Sequence, residues 1–410
     1  MKKKNILVLA TLDERGTGHG WSQAKLYENK GYNVDFICLI RNYSDTKNYI
    51  IDGTKRHSIK YLYYKFFRLV GQLLFAPYGD MRWYYKGYDF ANANDILKRL
   101  TRVPDYVIIC THQYFLSPKT IQKLYEATQA TFIFIMVDEK LLGGGCAYPL
   151  ECREYENGCR NCPRYRYAKF IPRYVVRQKE KYLSPIPFHV VGTSYDLNKT
   201  KSVLYLKDKK KYPIVGVPTI PFRQTKAEAR SSLGIPSDNF VMMAGAKNIK
   251  NPIKGFKEMM ESIALFSKGI NEDKKITLLL SGNNILEYKI PDNIQVVTLG
   301  FLSLDELFTA YYACDVYLSP SLYDSGPYMV NYALACGRPV IAFPVGVALD
   351  LVVHGTTGWL ATWKNTKEFS EGILYFYQKN QVELAQIETE CVNHILSYKK
   401  SLLDEIAKAE

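Results

Sequence analysis

Four stretches of this chain combine residue types that suit a phosphorylated ligand. Residues 245–256 follow an apolar run and carry Lys247 and Lys254, just before a helical pattern with Phe256, Met259, Met260 and Ile263 on one face. Cations and free N–H groups gathered at a helix start suit a diphosphate. The spacing is not that of a Walker A loop, and a solvated lysine loop is the competing reading. In the second stretch, 320–339, Asp324 and Gly326 lie in a turn and Pro327 suits a first helical position. The N–H groups of Tyr328 and Met329 would then face phosphate oxygens, with Tyr332 one turn further on the same face. Asp324 acting only as a cap is the alternative. The turn 355–358, ahead of a short strand, is a weaker signal. So is the Gly-rich run 16–20, where Gly16 and Gly18 would let backbone approach the same diphosphate.

A second kind of chemistry is suggested by Cys146, Cys152, Cys159 and Cys162. Four thiols in one loop, two of them as Cys-x2-Cys, fit a structural Zn²⁺ site that staples the loop. An iron–sulfur centre and free thiols are the rivals. The other five cysteines lie in apolar segments and read as small core residues. In the absence of an export signal, reduced thiols in the cytoplasm are expected.

The elements that must carry these residues alternate. Apolar strands are expected over 4–12, 32–40, 106–110, 131–137, 240–244, 276–280, 294–299, 316–318 and 340–343. Helices are expected over 21–29, 118–127, 304–314, opened by a Ser303/Glu306 capping box, and 381–408. Short apolar strands between helices indicate parallel sheets covered on both faces. The 410 residues exceed one ordinary core, and Pro213, Pro218 and Pro221 punctuate a boundary near 218–222. Two doubly wound domains place the expected site at the carboxyl ends of the strands, in a cleft between them.

Composition excludes some classes. With 47% hydrophobic and 23% charged residues the chain is globular, and no apolar run approaches the roughly 18 residues of a membrane span. The basic N-terminus leads into a run that lacks a cleavage site, so it reads as a first strand and not as a signal peptide. The net charge of +14 points to anionic partners. Its basic residues are spread out and no recognition module is present, so no nucleic acid is expected. Residues 55–90, dense in Tyr, Phe, Lys and Arg with a break at Pro77-Tyr78-Gly79, suit an amphipathic helix in peripheral contact with an anionic membrane or a lipid-linked acceptor. A helical hairpin packed on the first domain is the alternative.

The order Lys254-Gly255-Phe256, Leu299-Gly300-Phe301, Cys314-Asp315-Val316, Pro320-Ser321-Leu322, Gly337-Arg338-Pro339 and Gly355 to Gly358 closely resembles family-4 retaining glycosyltransferases of the GT-B fold. Within them it looks like the branch for colanic-acid and other surface polysaccharides. The likeness is specific over about 220–370 and loose before it.

The resemblance implies an α/β GT-B architecture of two Rossmann-like domains facing a cleft. Residues 1–218 would form the acceptor domain, 219–385 the nucleotide-sugar donor domain, and 386–410 a helix packing back on the first domain. It implies sugar transfer with retention and without a metal. The donor would be UDP- or GDP-linked and the acceptor a polysaccharide, oligosaccharide or lipid-linked glycan. The place of work would be the cytoplasm, extending to the inner face of the membrane.

Lys254 matches the family's diphosphate lysine, Lys247 could replace an upstream arginine, and Asp324 matches the first acid of a Glu-x7-Glu signature. The second acid falls on Tyr332. A tyrosine hydroxyl offers fewer and weaker bonds to ribose than a carboxylate. This leaves a catalytically weak or inactive sugar-nucleotide-binding protein as the alternative, and Tyr332→Glu is expected to preserve or improve donor binding. At the strand end before Asp138 the family often has His; here Val137 stands there, and His112 is the nearest substitute on the catalytic face.

Overall fold

The computed structural model describes residues 3–14, 20–74, 90–112, 114–163, 170–213, 216–270, 275–283, 289–326, 328–399 and 402–409. The chain divides into two compact units, Met1–Gly192 with Asp196–Pro213, and Thr193–Tyr195 with Ile214–Glu410. The main division falls directly after Pro213, a few residues before the boundary read near 218–222.

The first unit holds β1 (Asn5–Leu12), β2 (Asn33–Arg41), β3 (Asn48–Asp52), β4 (Tyr106–Ile109), β5 (Thr131–Ile135), β6 (Phe188–Gly192) and β7 (Lys210–Pro213). They form one parallel sheet in the order β3-β2-β1-β4-β5-β6-β7. Ile6 to Ala10 are all buried, as expected of a strand covered on both faces. Leu7, Leu9, Ile37, Leu39, Val107, Ile109, Phe132 and Phe134 line one face of this sheet as a continuous core. The helices Gly20–Asn29 and Pro118–Thr128 agree with the expected ones. Strands β3, β6 and β7 were not expected: β3 is half polar and β7 runs through a lysine-rich stretch, so neither shows the apolar run of an interior strand.

The second unit repeats the plan with β8 (Phe240–Asn248), β9 (Ile276–Asn283), β10 (Ile294–Gly300), β11 (Val316–Ser319), β12 (Val340–Ala342) and β13 (Gly358–Leu360). Their order is β10-β9-β8-β11-β12-β13, again parallel. In both sheets the order reverses beside the first strand, at β1/β4 and at β8/β11. At such switch points the loops after the two strands diverge to opposite faces and leave a crevice at their carboxyl ends. The Ser303/Glu306 capping box forms as read, each partner bonding the other's backbone N–H. The expected helix over 381–408 is two helices, Gln381–Ser397 and Leu402–Ala409, both grouped with the second unit.

The opposite end of this sheet is tied by ion pairs. Asp315, 5% exposed, takes Lys226 at 2.9 Å and Arg230 at 2.7 Å, and accepts the N–H of Val241 at 2.8 Å. Glu388 on the helix Gln381–Ser397 takes Lys226 at 2.8 Å and Arg338 at 2.7 Å. Arg338, one of the residues carrying the family resemblance, thus fastens elements together at the end of the sheet remote from the crevice.

Candidate functional site

The residues that the sequence marks for chemistry in the second unit come from the two loops flanking the switch point. After β8 the chain makes a tight turn, Pro252–Lys254, capped by the Asn251 side chain on the N–H of Ile253 at 3.3 Å. Gly255 follows at φ +65° and opens the helix Phe256–Lys268. A Cβ on Gly255 would stand 1.8 Å from the carbonyl oxygen of Pro320, so glycine is needed both for the backbone angle and for the close approach of the second loop. That loop is stitched on by the N–H groups of Leu322 and Tyr323, which both donate to the carbonyl of Ile253, at 2.8 and 3.3 Å.

This stitching brings Lys254 onto Asp324, Nζ to Oδ2 at 2.5 Å. The lysine side chain is 29% exposed and the carboxylate 12%, so the pair sits at the surface of the crevice and not in the core. An ammonium has three donors, so Lys254 can hold Asp324 and still offer N–H to another anion. The other oxygen of Asp324 accepts the N–H of Gly326 at 3.2 Å, which shapes the turn ahead of the helix Tyr328–Ala335. Gly326 is exposed, and a Cβ there would meet nothing within 4 Å, so its backbone faces open space. Lys247 is exposed near the end of β8, on the extended strand and not in a loop.

Residues that sequence reasoning missed fasten the second loop and the helix Tyr328–Ala335 that follows it. The Trp363 indole N–H donates to the carbonyl of Leu322 at 3.2 Å, and its ring meets Tyr323 edge-on at 5.7 Å. The Tyr311 hydroxyl donates to the carbonyl of Met329 at 2.9 Å and fixes the first turn of the helix. Asn331, 2% exposed, donates its amide to the carbonyl of Gly216 at 2.6 Å. The available signal for Asn331 was a lone amide inside an apolar helix.

Tyr328 and Tyr332 do lie one turn apart, rings edge-on at 5.1 Å. Tyr332 is 7% exposed and packs against Phe308 at 5.1 Å and Tyr311 at 6.4 Å. Its ring is a member of an aromatic cluster between two helices. Burial pushes the Tyr328 hydroxyl up to about 12, and a Cβ on Gly216 would touch its ring at 2.9 Å.

Gly16, Gly18 and the break at 77–79 in the first unit, and Pro327 in the second, fall outside the described residues. His112 follows β4 and, with Cys110, Thr111, Phe134, Asp138 and Lys140, lines a cavity of about 20 Å³. Burial, reinforced by the Lys179 charge, pushes its imidazole down to about 3, so it is neutral near pH 7. Asp138 caps the turn Glu139–Leu141 by accepting the N–H of Lys140 at 3.0 Å, and it pairs with the Lys140 ammonium.

The structure does not support the expected zinc site. Cys159 and Cys162 are buried and Cys146 and Cys152 half-buried, but among the described residues no three His, Cys, Asp or Glu side chains converge as metal ligands. Cys159 accepts the N–H of Gly144 at 3.3 Å, and burial pushes its thiol up to about 11. Just ahead of the cysteines the chain is tied by an ammonium: Lys179, 4% exposed, donates to the carbonyls of Lys140 and Gly143, each at 2.6 Å.

Comparisons with known proteins agree with this picture. Residues 239–379 match the family described as glycosyl transferases group 1. An uncharacterized glycosyltransferase of Methanocaldococcus jannaschii, MJ1607, is 26% identical over 160 residues, 37% of this chain and 39% of that protein. The match therefore spans about two fifths of that relative's length. Among solved structures, HepE of Anabaena in complex with UDP-glucose is similar at a TM-score of 0.58 and 13% identity, covering 98% of this chain and 99% of that one. Sucrose-phosphate synthase from Thermosynechococcus elongatus is similar at a TM-score of 0.59 and 12% identity over 100% of both chains. At such identities these likenesses speak for the fold. The two Rossmann-like parallel-sheet units are those of the GT-B fold, and the segment carrying the Lys254–Asp324 pair matches the glycosyl transferases group 1 family.

Proposed function

We propose that this protein is a glycosyltransferase that moves a sugar from a nucleotide-sugar donor, bound by the second unit, to a glycan or lipid-linked acceptor bound by the first. The observation that carries this reading is the Lys254–Asp324 pair at the β8/β11 switch point, within the segment matched to the family. Lys254 and the start of the helix Phe256–Lys268 would stabilise the departing nucleoside diphosphate, whose charge grows as the glycosidic bond breaks. Lys247, with the N–H groups of Gly326, Tyr328 and Met329, would complete the diphosphate and sugar contacts, and Tyr332 would border the nucleoside. Asp324 would orient Lys254 and bond the donor sugar. His112, neutral at working pH, and Asp138 would face the acceptor.

The reaction follows the retaining, metal-independent course of the family-4 pattern, with the leaving phosphate taking the acceptor's proton. Surface-glycan synthesis at the cytoplasmic face of the membrane is the matching role. UDP is named with neighbours of this fold, which supports a nucleotide-linked donor, with UDP- and GDP-sugars both to be tried.

The test is a thermal-shift screen of UDP-, GDP- and ADP-sugars. One class is expected to raise the melting temperature, and Lys254→Ala is expected to weaken its binding at least about tenfold, since charge-assisted bonds contribute roughly 1.5–3 kcal/mol each. Unchanged affinity in that variant would refute the placement of the site.

A second reading, a protein that binds nucleotide sugar without turnover, is favoured by one observation: Tyr332 replaces the second acid and its ring is packed against Phe308 and Tyr328. Release of nucleoside diphosphate only when an acceptor is supplied supports transfer over this reading.

A further inference from the structure

The helix Ile59–Leu74 is built the wrong way round for a helix that only covers a sheet. At 3.6 residues per turn, Tyr61 and Tyr64 share one side. Tyr64 is 7% exposed and meets Phe90 and Tyr114 edge-on at 5.5 and 5.7 Å, and Tyr61 is half-buried on the same core. This side binds the helix to the first unit. The other side should then be polar. It carries Ile59, Leu62, Phe66 and Leu69, which are 86%, 50%, 60% and 54% exposed, with Tyr63 at its margin. Exposed apolar residues scattered singly need no explanation, but a stripe at positions i, i+3, i+7 and i+10 of one helix does.

The charges beside the stripe say what it meets. Lys60 and Lys65 are both exposed and fall on its two flanks, between the apolar side and the packed side. Lys55 and Arg56, also exposed, precede the helix. From Gly53 to Gly79 the sequence holds five Lys or Arg and no Asp or Glu. A second copy of this chain seated on the same stripe by a two-fold axis would set these lysines against their own counterparts with no carboxylate to balance them. An anionic lipid surface complements both features: acyl chains take the apolar stripe while head-group phosphates take the flanking ammonium groups.

We infer that the helix Ile59–Leu74 lies in the interface of an anionic bilayer, with Ile59, Leu62, Phe66 and Leu69 inserted and Lys60 and Lys65 at head-group level. No described helix is long and apolar enough to cross a membrane, so this is attachment and not spanning. The inference goes beyond the transferase reading and does not depend on it, because its test contains no nucleotide sugar.

The experiment is flotation of the full chain with vesicles of phosphatidylcholine alone and of phosphatidylcholine mixed with an equal part of phosphatidylglycerol. The chain is expected to float with the mixed vesicles at low salt, and to stay behind with the neutral ones or when salt is high. Ile59→Asp combined with Leu62→Asp is expected to lower the partition coefficient at least about tenfold. Lys60→Gln with Lys65→Gln is expected to lower it about fivefold for each charge removed. Far-UV circular dichroism checks that the variants fold. A Leu62→Trp variant gives a readout that needs no disruptive change: its emission is expected to shift to the blue when mixed vesicles are added. The inference fails if the wild-type chain ignores mixed vesicles, if the double Asp variant binds them as well as wild type, or if the Leu62→Trp emission does not move. It also fails if sedimentation shows a dimer that the double Asp variant takes apart.

Discussion

Lys254 and Asp324 stand 70 residues apart in sequence and 2.5 Å apart in space. Each alone has a bland explanation, a surface lysine and a capping aspartate. Together at a strand switch point they make a cation that is aimed and yet keeps donors to spare. Tyr332 has the opposite fate. As a residue type it suggested a weak stand-in for a carboxylate, and Tyr332→Glu was expected to help the donor. Its burial among Phe308, Tyr311 and Tyr328 adds a cost in stability to that substitution. A glutamate there loses the ring packing and buries a charge, so Tyr332→Glu is expected to destabilise by at least about 3 kcal/mol, read by urea unfolding. His112 supplies a pH test. Its folded pKa, near 3, lies below the ordinary value of 6.5, so the unfolded chain takes up the proton first as pH falls. The stability contributed by neutral His112 is therefore present above about 6.5 and is lost towards 3. The stability difference between wild type and His112→Asn is expected to shrink by up to about 1.4 kcal/mol per pH unit over that window. A difference constant from pH 7 to 4 would show that the ring is not shielded.

At the scale of elements, the second sheet has a chemical end and a structural end. The loops after β8 and β11 meet at the first, through a glycine whose neighbour's carbonyl leaves no room for a Cβ. The second end is held by Asp315 between Lys226 and Arg230, and by Glu388 between Lys226 and Arg338. Asp315→Ala would leave the nearly buried Arg230 without its carboxylate and Val241 without its acceptor. Losing one partner of such a pair costs about 3–5 kcal/mol, and this variant is expected to show it in denaturant unfolding. Residual nucleotide-sugar affinity in the fraction that folds is expected to be unchanged, because the crevice lies at the other end of the strands. The approach to the cysteine loop is fixed by an element as well. The helix Phe170–Leu183 delivers Lys179 to the carbonyls of residues 140, 141 and 143, so a buried ammonium ties down the stretch just ahead of the cysteines.

At the scale of the whole molecule, two compact units each own a sheet and a core. A ligand stabilises the unit that binds it, by about 2.7 kcal/mol when its concentration is a hundred times its Kd. Scanning calorimetry is therefore expected to resolve two transitions. The one that Asp315→Ala lowers is expected to be the one that the nucleotide sugar raises. A ligand shift confined to the other transition would move the donor site to the first unit.

What the sequence determined by itself is local and periodic. Apolar runs marked most of the strands because an interior parallel strand must be apolar on both faces. The Ser303/Glu306 box formed as read because a cap is satisfied within four residues. The residue order around Lys254, Asp324 and Arg338 carried the family pattern for the second unit. Tertiary structure decided what depends on partners distant along the chain: that Lys254 holds Asp324, that Tyr332 is walled in by a preceding helix, that Lys179 ties down the carbonyls just ahead of the cysteine loop, and that the helix Ile59–Leu74 turns its apolar side outward. Periodicity tells which residues share a face, but only the packed neighbours tell which face is covered.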